Sequence, residues 1–61
     1  MVPHLRRIRE RAGMSQRDLE EESNVARARI SLLERGEAGA QGRTVRKLAE
    51  ALGVSTADLV G

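Results

Sequence analysis

An all-α fold of five helices follows from three features of the 61-residue sequence. Apolar residues recur at helical spacing in three stretches, and no stretch alternates with the two-residue period of a strand. Two Ser-x-x-Asp boxes, Ser15–Asp18 and Ser55–Asp58, carry the chemistry of helix starts. Glycines stand just past the ends of the periodic stretches, at Gly13, Gly36 and Gly53, where helices commonly stop.

Leu5, Ile8 and Ala12 fall at i, i+3 and i+7, with Pro3 suited to the first turn, and predict a first helix over about residues 3–12. In Ser15-Gln16-Arg17-Asp18 the hydroxyl and the carboxylate satisfy amide donors at a helix start, opening a second helix over about 16–22. Ser23-Asn24 interrupts the pattern, and Asn enters the left-handed region at low cost, so a tight turn is expected there. Ala26, Ile30 and Leu33 at i, i+4 and i+7 predict a third helix over about 26–35. Residues 37–42 contain Gly39 and Gly42 and no stripe, which reads as a loop. A fourth helix is expected over about 43–52, with Val45, Leu48, Ala49 and Leu52 inward. The second capping box then starts a short fifth helix ending near Val60.

The length allows one domain, residues 1–61, with a small core, because a chain this short buries only ~60% of the surface its unfolded form exposes. The absence of cysteine removes disulfides, thiolate metal sites and cysteine nucleophiles. With His4 as the single histidine, a His-based metal site or a Ser-His-Asp triad lacks its parts. No enzyme, metal, cofactor or small-molecule ligand is therefore expected. No apolar run approaches the ~18 residues of a membrane span, and the N-terminus has no signal-peptide core. The expectation is a soluble, cytoplasmic protein with no membrane partner.

Net charge is only +2, but it is unevenly distributed. Residues 1–11 carry +3, residues 12–24 carry −3, residues 25–36 carry +2, and the remainder balances. Ten of the eleven basic residues are arginine, a side chain suited to planar recognition of phosphates and guanine edges. A general compositional bias toward arginine explains the same count, so function has to come from the motif.

Two short helices joined by a turn of three to four residues make a helix-turn-helix, which presents one helix to a groove. The segments MSQRDLEEESNVARARISLLERG and TVRKLAEALGVSTADLV are similar to the Cro/phage-repressor (XRE-type) helix-turn-helix family of DNA-binding regulators. The match spans essentially the whole chain. It rests on an ordered set: the Gly-Met-Ser-Gln entry, Leu19, Val25, Ile30, Leu33, the Leu-Glu-Arg-Gly exit and the Leu-Ala-Glu-Ala-Leu-Gly-Val tail.

That resemblance implies a compact five-helix bundle of the lambda-repressor-like type, with the third helix in the major groove and the second lying across it. At 100° per residue, Ala26, Ile30 and Leu33 cluster inward while Ala28, Ser31, Leu32 and Arg35 point outward, flanked by Arg27 and Arg29. The family's base-contacting positions map onto Arg27, Ala28 and Leu32, with Arg29 and Ser31 beside them. Arg27 suits a guanine edge, whereas Ala28 and Leu32 offer at most a surface for a thymine methyl. Gln16 matches the family position that grips a phosphate and also reaches a base, with Arg17 next to it. Backbone amides at the start of the second helix, and near Arg43 and Thr44 at the fourth, are natural phosphate seats. The family also pairs the position of Arg9 with that of Glu34, so an Arg9–Glu34 ion pair is expected, and Arg9 is not a DNA contact. Ordinary readings remain beside these: a solvated helix face for Arg27 and Arg29, plain capping for Gln16, and a partner contact or stray surface residue for Leu32.

Several residues depart from the family pattern. Glu20 stands where a small residue, usually Ala, lets the two helices approach, and an unpaired buried carboxylate is costly, so its charge is expected to escape to solvent or to pair, with Arg17, Arg27 or Arg29 as candidate partners. Ser23 and Asn24 stand where Ala and Gly are usual, and Gln41-Gly42 lacks the usual Pro and apolar residue. The acidic run Asp18, Glu20, Glu21 and Glu22 is expected to turn away from a duplex, with binding strongly salt-dependent. The functional expectation is a sequence-specific double-stranded-DNA-binding transcriptional regulator of prokaryotic or phage type. It would bind an inverted-repeat operator as a homodimer; Val54, Leu59 and Val60 are expected first to pack the fifth helix on its own core, with a subunit contact as the alternative. The alternative is an antitoxin-like or regulatory module whose outward Ala28 and Leu32 meet another polypeptide.

Overall fold

A computed structural model describes residues 2–61, and all its regular elements are α-helices. They are α1 (Leu5–Arg11), α2 (Gln16–Ser23), α3 (Arg27–Glu34), α4 (Gly42–Leu52) and α5 (Thr56–Val60). The five helices are those the sequence predicts, with ends shifted by one or two residues. Helix α2 packs against α3 and α4, α4 against α5, and α1 against both α3 and α5. The bundle measures 22 × 22 × 19 Å.

Helix α1 starts two residues later than expected because Pro3 lies in a preceding turn, where the Leu5 N–H donates to the Val2 carbonyl at 3.2 Å. Ala12 is its C-terminal cap and is exposed, so it does not continue the inward stripe of Leu5 and Ile8. Both Ser-x-x-Asp boxes close in both directions. The Asp18 N–H donates to Ser15 Oγ at 3.0 Å and the Ser15 N–H to Asp18 Oδ2 at 2.9 Å, with the same pairing between Ser55 and Asp58.

Ser23 extends α2 by one residue beyond expectation. Its hydroxyl donates to the Leu19 carbonyl at 2.6 Å and accepts the Val25 N–H at 3.1 Å, so it satisfies a buried backbone donor just past the helix end. Asn24 follows at φ 62 and ψ 24, the left-handed conformation expected of the turn. A Cβ is disfavoured there, and the short polar side chain of Asn tolerates it better than most. We therefore expect Asn24→Ala to lower the free energy of unfolding by about 1 kcal/mol and Asn24→Gly to leave it nearly unchanged, as read by urea titration.

Ala26 is exposed, contrary to its predicted inward place. It precedes α3 with an extended ψ of 138, so the helical angle of 100° per residue does not extend to it. The core instead comprises Leu5, Leu19, Val25, Ile30, Leu33, Val45, Leu48, Ala49 and Leu59, together with Val2. Val2 is 1% exposed although it lies outside every periodic stretch. The adjoining backbone ties it down, because the His4 N–H donates to the Leu59 carbonyl at 3.2 Å and joins the chain start to α5. Leu52 is half-buried at the edge of the core. The segment between α3 and α4 is also anchored, with Ala38 and Ala40 packed against the core.

Of the three residues nominated for a subunit contact, Leu59 is fully buried in its own bundle and is unavailable. Val54 is half-buried against the same core, and Val60 alone is exposed. No helix among the described residues is long and apolar enough to cross a membrane, and none of their His, Asp or Glu side chains group as metal ligands would.

Candidate nucleic-acid interface

The start of α2 and the start of α3 meet along a shallow open groove lined by Gln16, Arg17, Glu20, Ala26, Arg27, Ala28 and Ser31. The Val25 anchor, the left-handed turn at Asn24 and the Leu19, Ile30 and Leu33 side chains fix the two helices in this arrangement. The groove brings together five of the ten residues singled out in the sequence: Gln16, Arg17, Arg27, Ala28 and Ser31. Arg29 is exposed, and Leu32 is half-buried rather than fully outward. Arg35, also exposed, pairs with Glu37 at 3.2 Å. At the start of α4, Arg43 is exposed with its Nη2 3.5 Å from Gln41 Oε1, while Thr44 is half-buried. These last five lie outside the groove lining.

Glu34 joins three helices. Arg9 Nε and Nη2 donate to its two carboxylate oxygens at 2.6 and 3.1 Å, and Arg9 Nη1 donates to the Met14 carbonyl at 2.8 Å. The expected Arg9–Glu34 pair is thus present as a two-pronged contact between side chains only 10% and 4% exposed. Gln16 Nε2 donates to Glu34 Oε1 at 3.0 Å, a contact not foreseen from the sequence. Gln16 is therefore oriented by the Arg9–Glu34 pair and is not a freely swinging surface amide. Burial alone would raise the Glu34 carboxyl, but the hydrogen bonds from Arg9 and Gln16 outweigh it and hold it below its ordinary value. The hydrogen bonds that Arg9 donates to Glu34 favour its charged form and raise it in turn.

Glu20 corrects two expectations. Its carboxylate pairs with no arginine side chain; Oε2 accepts the backbone N–H of Arg27, the first residue of α3, at 2.9 Å. It also lines the groove instead of turning away from it. The reason is local: Ala26, the N-cap of α3, has no side-chain acceptor, and a carboxylate from the neighbouring helix supplies one. Asp18 is committed to the α2 cap, and the Ser15 backbone N–H holds its carboxyl below the ordinary value. Glu22 lies instead beside α4, in a second groove with Asn24, Lys47 and Glu50.

The fold and the groove together define a helix-turn-helix protein, with α2 and α3 as the paired helices. A family model described as helix-turn-helix matches residues 5–59, and the chain belongs to that Cro/phage-repressor type (XRE) family of DNA-binding modules, generally transcriptional regulators. Among curated proteins, none matches the chain.

Proposed function

We propose that the protein is a sequence-specific double-stranded-DNA-binding transcriptional regulator whose α3 reads the major groove. The observation that carries this reading is the convergence of Gln16, Arg17, Arg27, Ala28 and Ser31 on one open face between the starts of α2 and α3. Arg27 takes a guanine edge through two parallel donors, while Ala28 and Leu32 supply apolar contact to a thymine methyl. Arg17, Arg29 and Arg35 add positive charge along the same helix pair, and Gln16 presents an amide whose position Glu34 fixes. The start of α4 seats a phosphate: Gln41 gives its amides no side-chain cap, the first turn holds no acid, and Arg43 and Thr44 stand there. Two copies bind an inverted repeat with half-sites about one helical turn apart, acting by recognition and not by catalysis.

Selection from random duplex DNA tests this directly. The expected result is an enriched inverted repeat, bound far more tightly than scrambled DNA, with affinity falling steeply as salt rises. Arg27→Ala should weaken binding to the enriched site by about 1–3 kcal/mol and relax the preference at one base position per half-site. Absence of enrichment, with weak binding indifferent to Arg27, would overturn the reading and point to a polypeptide partner on Ala28 and Leu32.

A further inference from the structure

Resting on the DNA-binding reading above, we propose that Glu20 is a specificity-determining residue whose unbonded carboxylate oxygen selects cytosine in the major groove and disfavours binding through phosphates alone. Two oxygens give this residue two tasks. Oε2 accepts the Arg27 N–H and holds the first turn of α3 to α2. Oε1 has no hydrogen-bond partner among the described residues, and since none of their buried side-chain polar atoms is left without one, this oxygen of the half-buried Glu20 is not sealed from solvent. Glu20 lines the groove shared with Gln16, Arg17, Arg27, Ala28 and Ser31.

No ion pair among the described residues neutralises Glu20, so a full negative charge sits on an otherwise basic face. An ionised carboxylate only accepts hydrogen bonds. Phosphate oxygens, guanine O6 and N7, and thymine O4 are acceptors too, so each of them is repelled. Cytosine N4 and adenine N6 are the exocyclic amine donors of the major groove, and because adenine sets its N7 acceptor beside the amine, cytosine is the base an acceptor-only carboxylate matches. Sequence-independent binding depends on phosphate contacts, and a fixed anion beside Arg17 and Arg27 weakens those contacts for every sequence while leaving a site with cytosine in place favoured. The contact with the Arg27 N–H also sets the register of the arginine proposed to read guanine, so cytosine and guanine preferences fall at neighbouring positions.

The test is selection from random duplexes by wild type, Glu20→Gln and Glu20→Ala, with affinity for scrambled duplex measured at low and high salt and helicity checked by circular dichroism. Wild type should prefer cytosine by about tenfold at one position per half-site. Glu20→Gln, whose one amide oxygen stays on the Arg27 N–H, puts an N–H donor where the free acceptor was and should replace the cytosine preference by one for guanine or thymine, which offer acceptors there. Glu20→Ala should lose the preference, and both variants should bind scrambled DNA several-fold more tightly at low salt. If Glu20→Ala is unfolded, Glu20→Gln decides alone. An unchanged base preference in folded Glu20→Gln, with unchanged affinity for scrambled DNA, would leave Glu20 as a cap only and overturn this inference while the DNA-binding reading stands. Failure of wild type to enrich any sequence would overturn that reading and this inference together.

Discussion

Replacing Glu34 with alanine should destabilise the protein by about 3–5 kcal/mol, because it strands the Arg9 guanidinium in a buried site with one remaining acceptor, the Met14 carbonyl. Natural domains hold roughly 0.05–0.15 kcal/mol per residue, so for 61 residues that loss is comparable with the whole stability. The variant should be largely unfolded at 25 °C. With no Phe, Trp or Tyr in the chain, the measurement is far-UV circular dichroism against urea.

The same group fixes a dependence on pH. Glu34 and Asp18 both have carboxyls held below their ordinary values in the folded state. A lowered folded value means that their stabilisation is complete above the ordinary carboxylate range and is lost as pH falls through the folded value. The urea midpoint should therefore fall progressively as pH is lowered below about 5. Glu34→Gln should begin from lower stability and show a shallower decline, since the Glu34 carboxylate no longer titrates. A decline identical to wild type would remove Glu34 from the acid response.

Leu19→Ala carries the second large effect. Leu19 is fully buried on α2, the helix that packs on both α3 and α4, so truncation leaves a cavity where three helices meet. Such substitutions cost about 2–5 kcal/mol, depending on how far the surroundings collapse. In a core to which the described residues contribute ten buried apolar side chains, that is enough to abolish cooperative unfolding at room temperature. A Leu19→Met variant, which conserves volume, should lose less than about 1.5 kcal/mol by the same measurement and would separate cavity formation from any effect on the neighbouring Glu20.

Much of the architecture was legible along the chain. The boxes at Ser15–Asp18 and Ser55–Asp58 marked two helix starts, and both close as their chemistry requires. Gly36 and Gly53 take the positive φ values of 72 and 71 that end α3 and α4. Ile30, Leu33, Val45, Leu48 and Ala49 face inward at the spacing that predicted it. Where spacing misled, the residue lay at or beyond a helix end. Ala12 and Ala26 cap their helices and are exposed, and Val2 is buried by a turn that carries no helical period.

The candidate interface was legible in part. Arg27, Ala28 and Ser31 could be placed on one face because they share α3, and Gln16 and Arg17 because they open α2. Their meeting in a common groove depends on the angle between the two helices. The partner of Glu20 is hidden for a related reason: charge points to an arginine side chain or to escape into solvent, but the donor it meets is a backbone amide exposed by the missing cap at Ala26.

The sequence alone thus determined the five helices, most of the inward stripes and the Arg9–Glu34 pair, the first two through interactions spanning four residues or fewer and the last through the family pattern. Only the tertiary structure decided that Gln16 is held by Glu34 and that Glu20 caps α3 within the groove. Each of these joins residues on different elements, and such contacts are fixed by how helices pack in space, which no periodicity along the chain encodes.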